Sequence, residues 1–413
     1  MHGVVNPRLM LQEANLLREW VQRNEHDVEL AAKDKTLVEA GETLREALKI
    51  VKAERRQPGL EGNLLTELAR TTAKRAEISE TSGAQKWDVA EAMTQIEQLA
   101  LEAHFLLPDS FHPIEVLLRA ADNFGALLSE EQRIRTEVEV VHAFDSVELE
   151  DLSPEQYEHY LKARHSLARF LGNSSLEEAT FAELKRTGSA AGYYLRARRM
   201  VGVRVFHAGQ TTANFSSDEQ ALLKTASDYL LSNWEQVNED SRCMELLLRC
   251  WWGANTGKRL FFGERQTVAL SRELWAVALR ILDQISASEH VPPRLTYLRG
   301  LALFHLKRQQ ESIEVFHELE TEMISGRRRI VRSYLLSEAD GTPTTFSGTV
   351  DWVRGRQGGA WVPELQRTIP FLTDNFARRD LGKGASLASF HIAFNFLGPV
   401  VDPLAYYKEG PSQ

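Results

Sequence analysis

Between Pro7 and Arg56 the apolar residues Leu9, Leu16, Leu17, Trp20, Val21, Val28, Leu30, Leu37, Leu44, Leu48 and Val51 recur at spacings of three, four and seven. That period places them on one face of a helix rather than on a strand. The same pattern returns at Asn63 to Glu77, Asp88 to Leu107, Pro108 to Leu128, Glu130 to Phe144, Ser153 to Leu171 and Ser175 to Thr187, separated by short polar or proline-bearing breaks. Ser153-Pro154-Glu-Gln156 supplies a cap, a first-turn proline and an acidic first turn, so a helix is expected to start there. Near residue 330 the period changes. From Phe346 to Pro403 the apolar positions alternate with polar ones in short runs punctuated by glycine and proline, which is the strand signature. The expected architecture is therefore mainly α, an irregular helix-turn-helix array followed by a small C-terminal β-barrel. The expected divisions are 1–80, an N-terminal helical segment; 81–340, a helical array; and 341–405, the barrel.

With 413 residues the chain exceeds the usual size of one core, and its 43% hydrophobic and 26% charged content suits a folded protein. The net charge of -9 is uneven: Arg327 to Lys383 carries ten basic and six acidic residues, and the excess acid lies upstream. The basic end points either to a polyanionic partner or to a solvated charged surface. Only Cys243 and Cys250 are present, seven apart on an expected helix, which argues against a disulfide or a zinc site and suits a reducing cytoplasm. There is no signal-peptide core and no apolar run of membrane-spanning length, so the expectation is a cytoplasmic protein without a membrane partner.

Two regions carry a resemblance. Tyr297 to Leu319, with Gly300, Leu303, Ser312, Phe316 and Leu319, has the offsets of a tetratricopeptide repeat, lacking that repeat's usual following proline. Residues 150 to 325 resemble a tetratricopeptide array with one clear unit and degenerate others, within the expected tetratricopeptide-like array of 81–340, and the resemblance implies a protein partner on its concave face. Gly348-x-Val350-x-Trp352, Gly358-Gly-Ala-Trp-Val362, Ile369 to Leu372, Leu381-Gly-Lys-Gly384, Phe390 and Gly398-Pro399 together resemble a cold-shock-type OB barrel. In that family exposed aromatics stack on unpaired bases while cations follow the phosphates. The resemblance implies a single-stranded nucleic acid at Trp352 and Trp361, flanked by Arg354, Arg356, Arg367 and Lys383. Gly359, Pro370 and Leu372 depart from the pattern where the family has aromatics and a histidine. The order of elements also resembles the C-terminal sensor regions of large bacterial STAND-type and sirtuin-like defence proteins.

The junction Ser325-Gly-Arg-Arg-Arg-Ile-Val-Arg332 is the densest cationic cluster. Arg327, Arg328, Arg329 and Arg332 would repel one another without partners, which could be the nearby Glu318, Glu320 and Glu322 or a phosphate backbone. Gly253-Ala-Asn-Thr-Gly257-Lys258 is one residue short of a phosphate loop and has Arg259 in place of the magnesium-binding hydroxyl, so a tight turn between helices is expected instead. The histidines are scattered, with no helical metal-ligand spacing, and no Gly-x-Ser-x-Gly elbow occurs. The functional expectation is a non-enzymatic scaffold, sensor or regulatory subunit without cofactor or metal, placed in bacterial defence or signalling. The alternative is a nucleic-acid-binding regulator built on the C-terminal barrel and the Arg327–Arg332 cluster.

Overall fold

The structure, a computed structural model, describes residues 6–23, 30–54, 57–82, 89–124, 128–145, 147, 149–202, 205, 213–261, 263–287, 291–321, 331–376 and 381–403. The chain forms two compact units: residues 1–196 with 206–210, and residues 197–205 with 211–413. The described residues are mainly helical, with a small antiparallel sheet toward the C-terminus. No described helix is long and apolar enough to cross a membrane.

The first unit holds α1 (Pro7–Arg23), α2 (Leu30–Glu54), α3 (Pro58–Ser82), α4 (Val89–Leu106), α5 (His112–Phe124), α6 (Glu130–Asp145), α7 (Pro154–Phe170), α8 (Ser174–Arg186) and most of α9 (Ala190–Val201). Pro58 sits in the first turn of α3, where its missing N–H costs nothing, so the proline that interrupts the apolar period starts a helix as well as ending one. At the start of α7, Ser153 accepts from the Gln156 amide and the Gln156 side chain accepts from the Ser153 amide, a full capping box. The apolar faces meet in successive cores: Leu44, Leu64 and Leu68 in one, Ile96, Leu117 and Phe124 in the next, and Phe111, Leu161 and Leu184 in a third. A chain of small cores between neighbouring helices is what a period of three and four with short turns produces.

The second unit holds α10 (Ser217–Ser232), α11 (Trp234–Val237), α12 (Ser241–Thr256), α13 (Arg272–Ser286), α14 (Pro293–His305), α15 (Gln309–Thr321) and six strands. These are β1 (Tyr334–Leu335), β2 (Phe346–Arg354), β3 (Gln357–Val362), β4 (Arg367–Leu372), β5 (Ser386–Asn395) and β6 (Gly398–Pro403). Strand order is β1-β5-β2-β3-β4, with β6 paired to the C-terminal half of β5, and the sheet is open. Helices and sheet share one aromatic core here. Tyr297 of α14 packs edge-on against Phe316 of α15, and Phe316 stacks on Phe394 of β5. The buried Tyr297 hydroxyl donates to the Phe394 carbonyl at 3.0 Å. Within the hairpin, a Cβ on Gly300 would come within 2.9 Å of the Phe316 ring, and the buried Ser312 hydroxyl donates to the Gly300 carbonyl at 2.7 Å. The spacing read from Gly300, Ser312 and Phe316 thus reports a real close approach of two helices.

Gly355 (φ +60°) and Arg356 make the turn between β2 and β3, and Gly358 and Gly359 belong to β3. The phosphate-loop look-alike is a helix end. Gly253 lies in α12, where a Cβ would strike Leu223 and Phe215, and Gly257 is a left-handed C-cap at φ +67°. Lys258 donates to the Thr267 carbonyl at 2.7 Å. Cys243 and Cys250 are both buried free thiols on α12, as their spacing predicts.

Candidate functional site

The strands β2, β3 and β4 form a meander whose two faces are chemically distinct. Val350, Ala360 and Ile369 pair across the three strands and are buried; Thr349, Trp361 and Thr368 pair one step away and face outward. Directly opposed residues share a face, so the register assigns every side chain. A bulge between Val350 and Trp352 adds one residue to β2, and as a result Asp351 and Trp352 are both exposed in succession. Trp352 is opposite Gly359, which is opposite Pro370. The outward face therefore presents Trp352 (36% exposed), Trp361 (42%), Pro370, Leu372 (40%) and Arg354.

The adjacent glycines make this face possible. A Cβ at Gly358 would lie 2.3 Å from the Phe371 ring in the core, and one at Gly359 would lie 2.3 Å from the Trp352 indole nitrogen on the outside. Any other residue at either position would displace one of these rings. Gly359, where the cold-shock pattern places an aromatic, is thus covered by the Trp352 indole lying across from the neighbouring strand. Pro370, which cannot donate to a ladder, lies on the terminal strand of the sheet path, where that loss is tolerated. The Thr368 hydroxyl donates to Asp351, the chain neighbour of Trp352, at 3.1 Å.

The cations fall into three groups. Arg354, opposite Gln357 at the end of β2, and Lys383, in the turn before β5, are both exposed. Arg356 is fixed to Asp374, with Nε 2.8 Å from the carboxylate, and that hydrogen bond raises its already high pKa. Arg367 pairs with the buried Val362 and so begins on the side opposite the tryptophans; burial lowers its pKa, and one guanidinium nitrogen is buried without a hydrogen bond.

Arg332 is elsewhere. Its guanidinium pairs with the completely buried Asp402 of β6, and Arg265 Nε donates to the same carboxylate at 2.9 Å. The chain around Arg265 is tied to the same place, since the Gln266 amide donates to the Ser333 carbonyl at 2.9 Å. Arg327, Arg328 and Arg329 lie outside the described residues. Nothing in the sequence signals the Asp402 partnership, because 70 residues separate it from Arg332. Among the described residues, the sheet face gathers no set of histidine, cysteine and carboxylate groups at metal-ligand distance.

Comparison with family models, curated proteins and solved structures found no match for this chain.

Proposed function

We propose that this chain is a non-enzymatic recognition protein whose C-terminal sheet, a cold-shock-type barrel, takes single-stranded nucleic acid on its outward face. The observation that carries the reading is the pair of exposed indoles, Trp352 and Trp361, on one face with Arg354 beside them. Indoles have broad faces on which bases stack regardless of sequence, and a nearby guanidinium can meet the phosphates. The barrel reading is supported by the approach of β4 to β6, two strands of the open sheet that share no ladder. With two indoles rather than a full aromatic platform, affinity should be modest and strongly salt-dependent.

The test is fluorescence polarisation of labelled single-stranded RNA and DNA against the full chain at low and moderate salt. Trp352→Ala and Trp361→Ala should each weaken binding about fivefold or more, since a base–aromatic stack contributes about 1 to 3 kcal/mol. Absence of salt-sensitive binding at tens of micromolar, or binding indifferent to both substitutions, would remove the proposal.

A protein partner for the helical array is a second reading, favoured by α1. Leu9 (62% exposed), Leu16 (67%) and Trp20 (43%) follow one another at seven and four residues along one side of that helix. Replacing Leu16 and Trp20 together by glutamate should abolish co-purification of such a partner while leaving nucleic-acid binding intact. Unchanged co-purification would count against it.

A further inference from the structure

In the first unit, the beginning of α5 faces the middle of α7. His112 and Glu115 stand three apart in the first turn of α5 and so share a side, and His159 approaches them from α7. The ring centroids of His112 and His159 are 4.1 Å apart at 61°. Glu115 is buried, with one carboxylate oxygen 4.0 Å from His112 Nδ1. One potential ligand atom from each of the three residues lies within 4.8 Å of the other two.

We propose that His112, Glu115 and His159 form a binding site for a divalent transition ion of the zinc class. Two imidazoles and one carboxylate are the donor set that such an ion takes, with a fourth, solvent-facing position left for water. Tetrahedral bonds of about 2.0 to 2.1 Å require ligand atoms about 3.3 Å apart, so ligand atoms that now lie within 4.8 Å of one another need to close by up to about 1.5 Å, within reach of side-chain rotations. One further observation favours a ligand here: His159 Nδ1 is buried and has no hydrogen-bond partner, an uncommon condition for a buried polar atom.

The surroundings set the affinity. Arg119 Nη2 stands 2.5 Å from Glu115, and Arg70 Nη2 is 3.4 Å from His112 Nδ1. Each cation competes with a metal for a ligand atom. Arg119 is two-thirds exposed along its side chain, so it can swing away as the ion enters. Bound metal would pin the first turn of α5 to α7.

The full chain, freed of metal by a chelator, is titrated with Zn2+ against a chromophoric competitor and with Co2+ by its visible absorption. One equivalent should bind, with the Co2+ spectrum of a four-coordinate site of two nitrogen and two oxygen donors. His112→Ala, His159→Ala and Glu115→Gln should each weaken binding at least about tenfold, with circular dichroism confirming that each variant folds. Arg119→Ala should do the opposite and tighten binding, because it frees the carboxylate. A merely structural cluster would not show that gain. No saturable binding of one equivalent, or binding that survives both histidine substitutions, would overturn the proposal, as would an Arg119→Ala variant that binds no better.

Discussion

Asp402 offers a sharp test of how the second unit is held together. Its carboxylate is fully buried on β6 and receives two guanidinium groups, Arg265 from the loop after α12 and Arg332 from the segment leading into β1. Three stretches of chain remote in sequence therefore meet at one charge. Asp402→Ala would leave two arginines facing each other with the largely exposed Glu264, 4.0 Å from Arg265, as a weak substitute for the buried carboxylate. Breaking a buried ion pair from one side costs about 3 to 5 kcal/mol, most of it the penalty of stranding the remaining charge. The arginine side chains retain 21% and 11% of their exposure, so part of that penalty is relieved by water, and about 3 kcal/mol is expected. Urea unfolding followed by tryptophan fluorescence reads it out, since six of the eight tryptophans (Trp234, Trp251, Trp252, Trp275, Trp352 and Trp361) belong to the second unit. A triple variant, Asp402→Leu with Arg265→Leu and Arg332→Met, should recover most of the loss, because charge-free packing replaces the ion triad without stranding anything. A single substitution costing under about 1 kcal/mol, or a triple variant no better than the single one, would refute the reasoning.

Further outcomes are expected. His305 stacks on Trp275 at 4.2 Å, and burial lowers its pKa to about 3. A depressed folded-state pKa means that the unfolded chain takes up the proton first, so stability is complete above about pH 6.5 and declines as the pH falls toward 3. Full desolvation would cost about 2 kcal/mol at pH 5, and the residue's partial solvent contact reduces this to about 1 kcal/mol; His305→Phe should flatten that part of the pH–stability curve, and an unchanged slope would count against it. Gly300→Val would press into the Phe316 ring and should destabilise the second unit by about 1 to 3 kcal/mol in the same urea assay, with no effect expected if the hairpin is looser than described. The Cys250 thiol is pushed up to about 12 by burial, so a thiol reagent at pH 8 should react with the native protein only on the timescale of unfolding; rapid labelling would show otherwise.

The helices were readable in the sequence because a helix declares itself locally. Periods of three and four, the Ser153–Gln156 capping box and the first-turn prolines at 58 and 154 all lie within a few residues of what they determine. The strands β2 to β5 were readable for the same reason, but the alternation of Phe346, Gly348, Val350 and Trp352 would bury Trp352, and only the bulge after Val350 turns it outward. The two-residue β1 was not, since Tyr334 and Leu335 carry no period and are strand only because Phe394 and Ala393 lie beside them. Gly359 shows the limit most clearly. Its sequence position suggests a missing aromatic, and only the register of β2 on β3 reveals that Trp352 fills the space.

Local periodicity, then, determined by itself that a helical stretch is followed by short strands, and which face most of the helices bury. Tertiary structure alone decided the pairings that carry chemistry: Asp402 with Arg265 and Arg332, and His112 and Glu115 with His159. The reason is physical. A side chain's burial follows from its neighbours along one element, whereas its charge partner or fellow ligand is chosen by how distant elements pack. No spacing rule spans the 70 residues between Arg332 and Asp402.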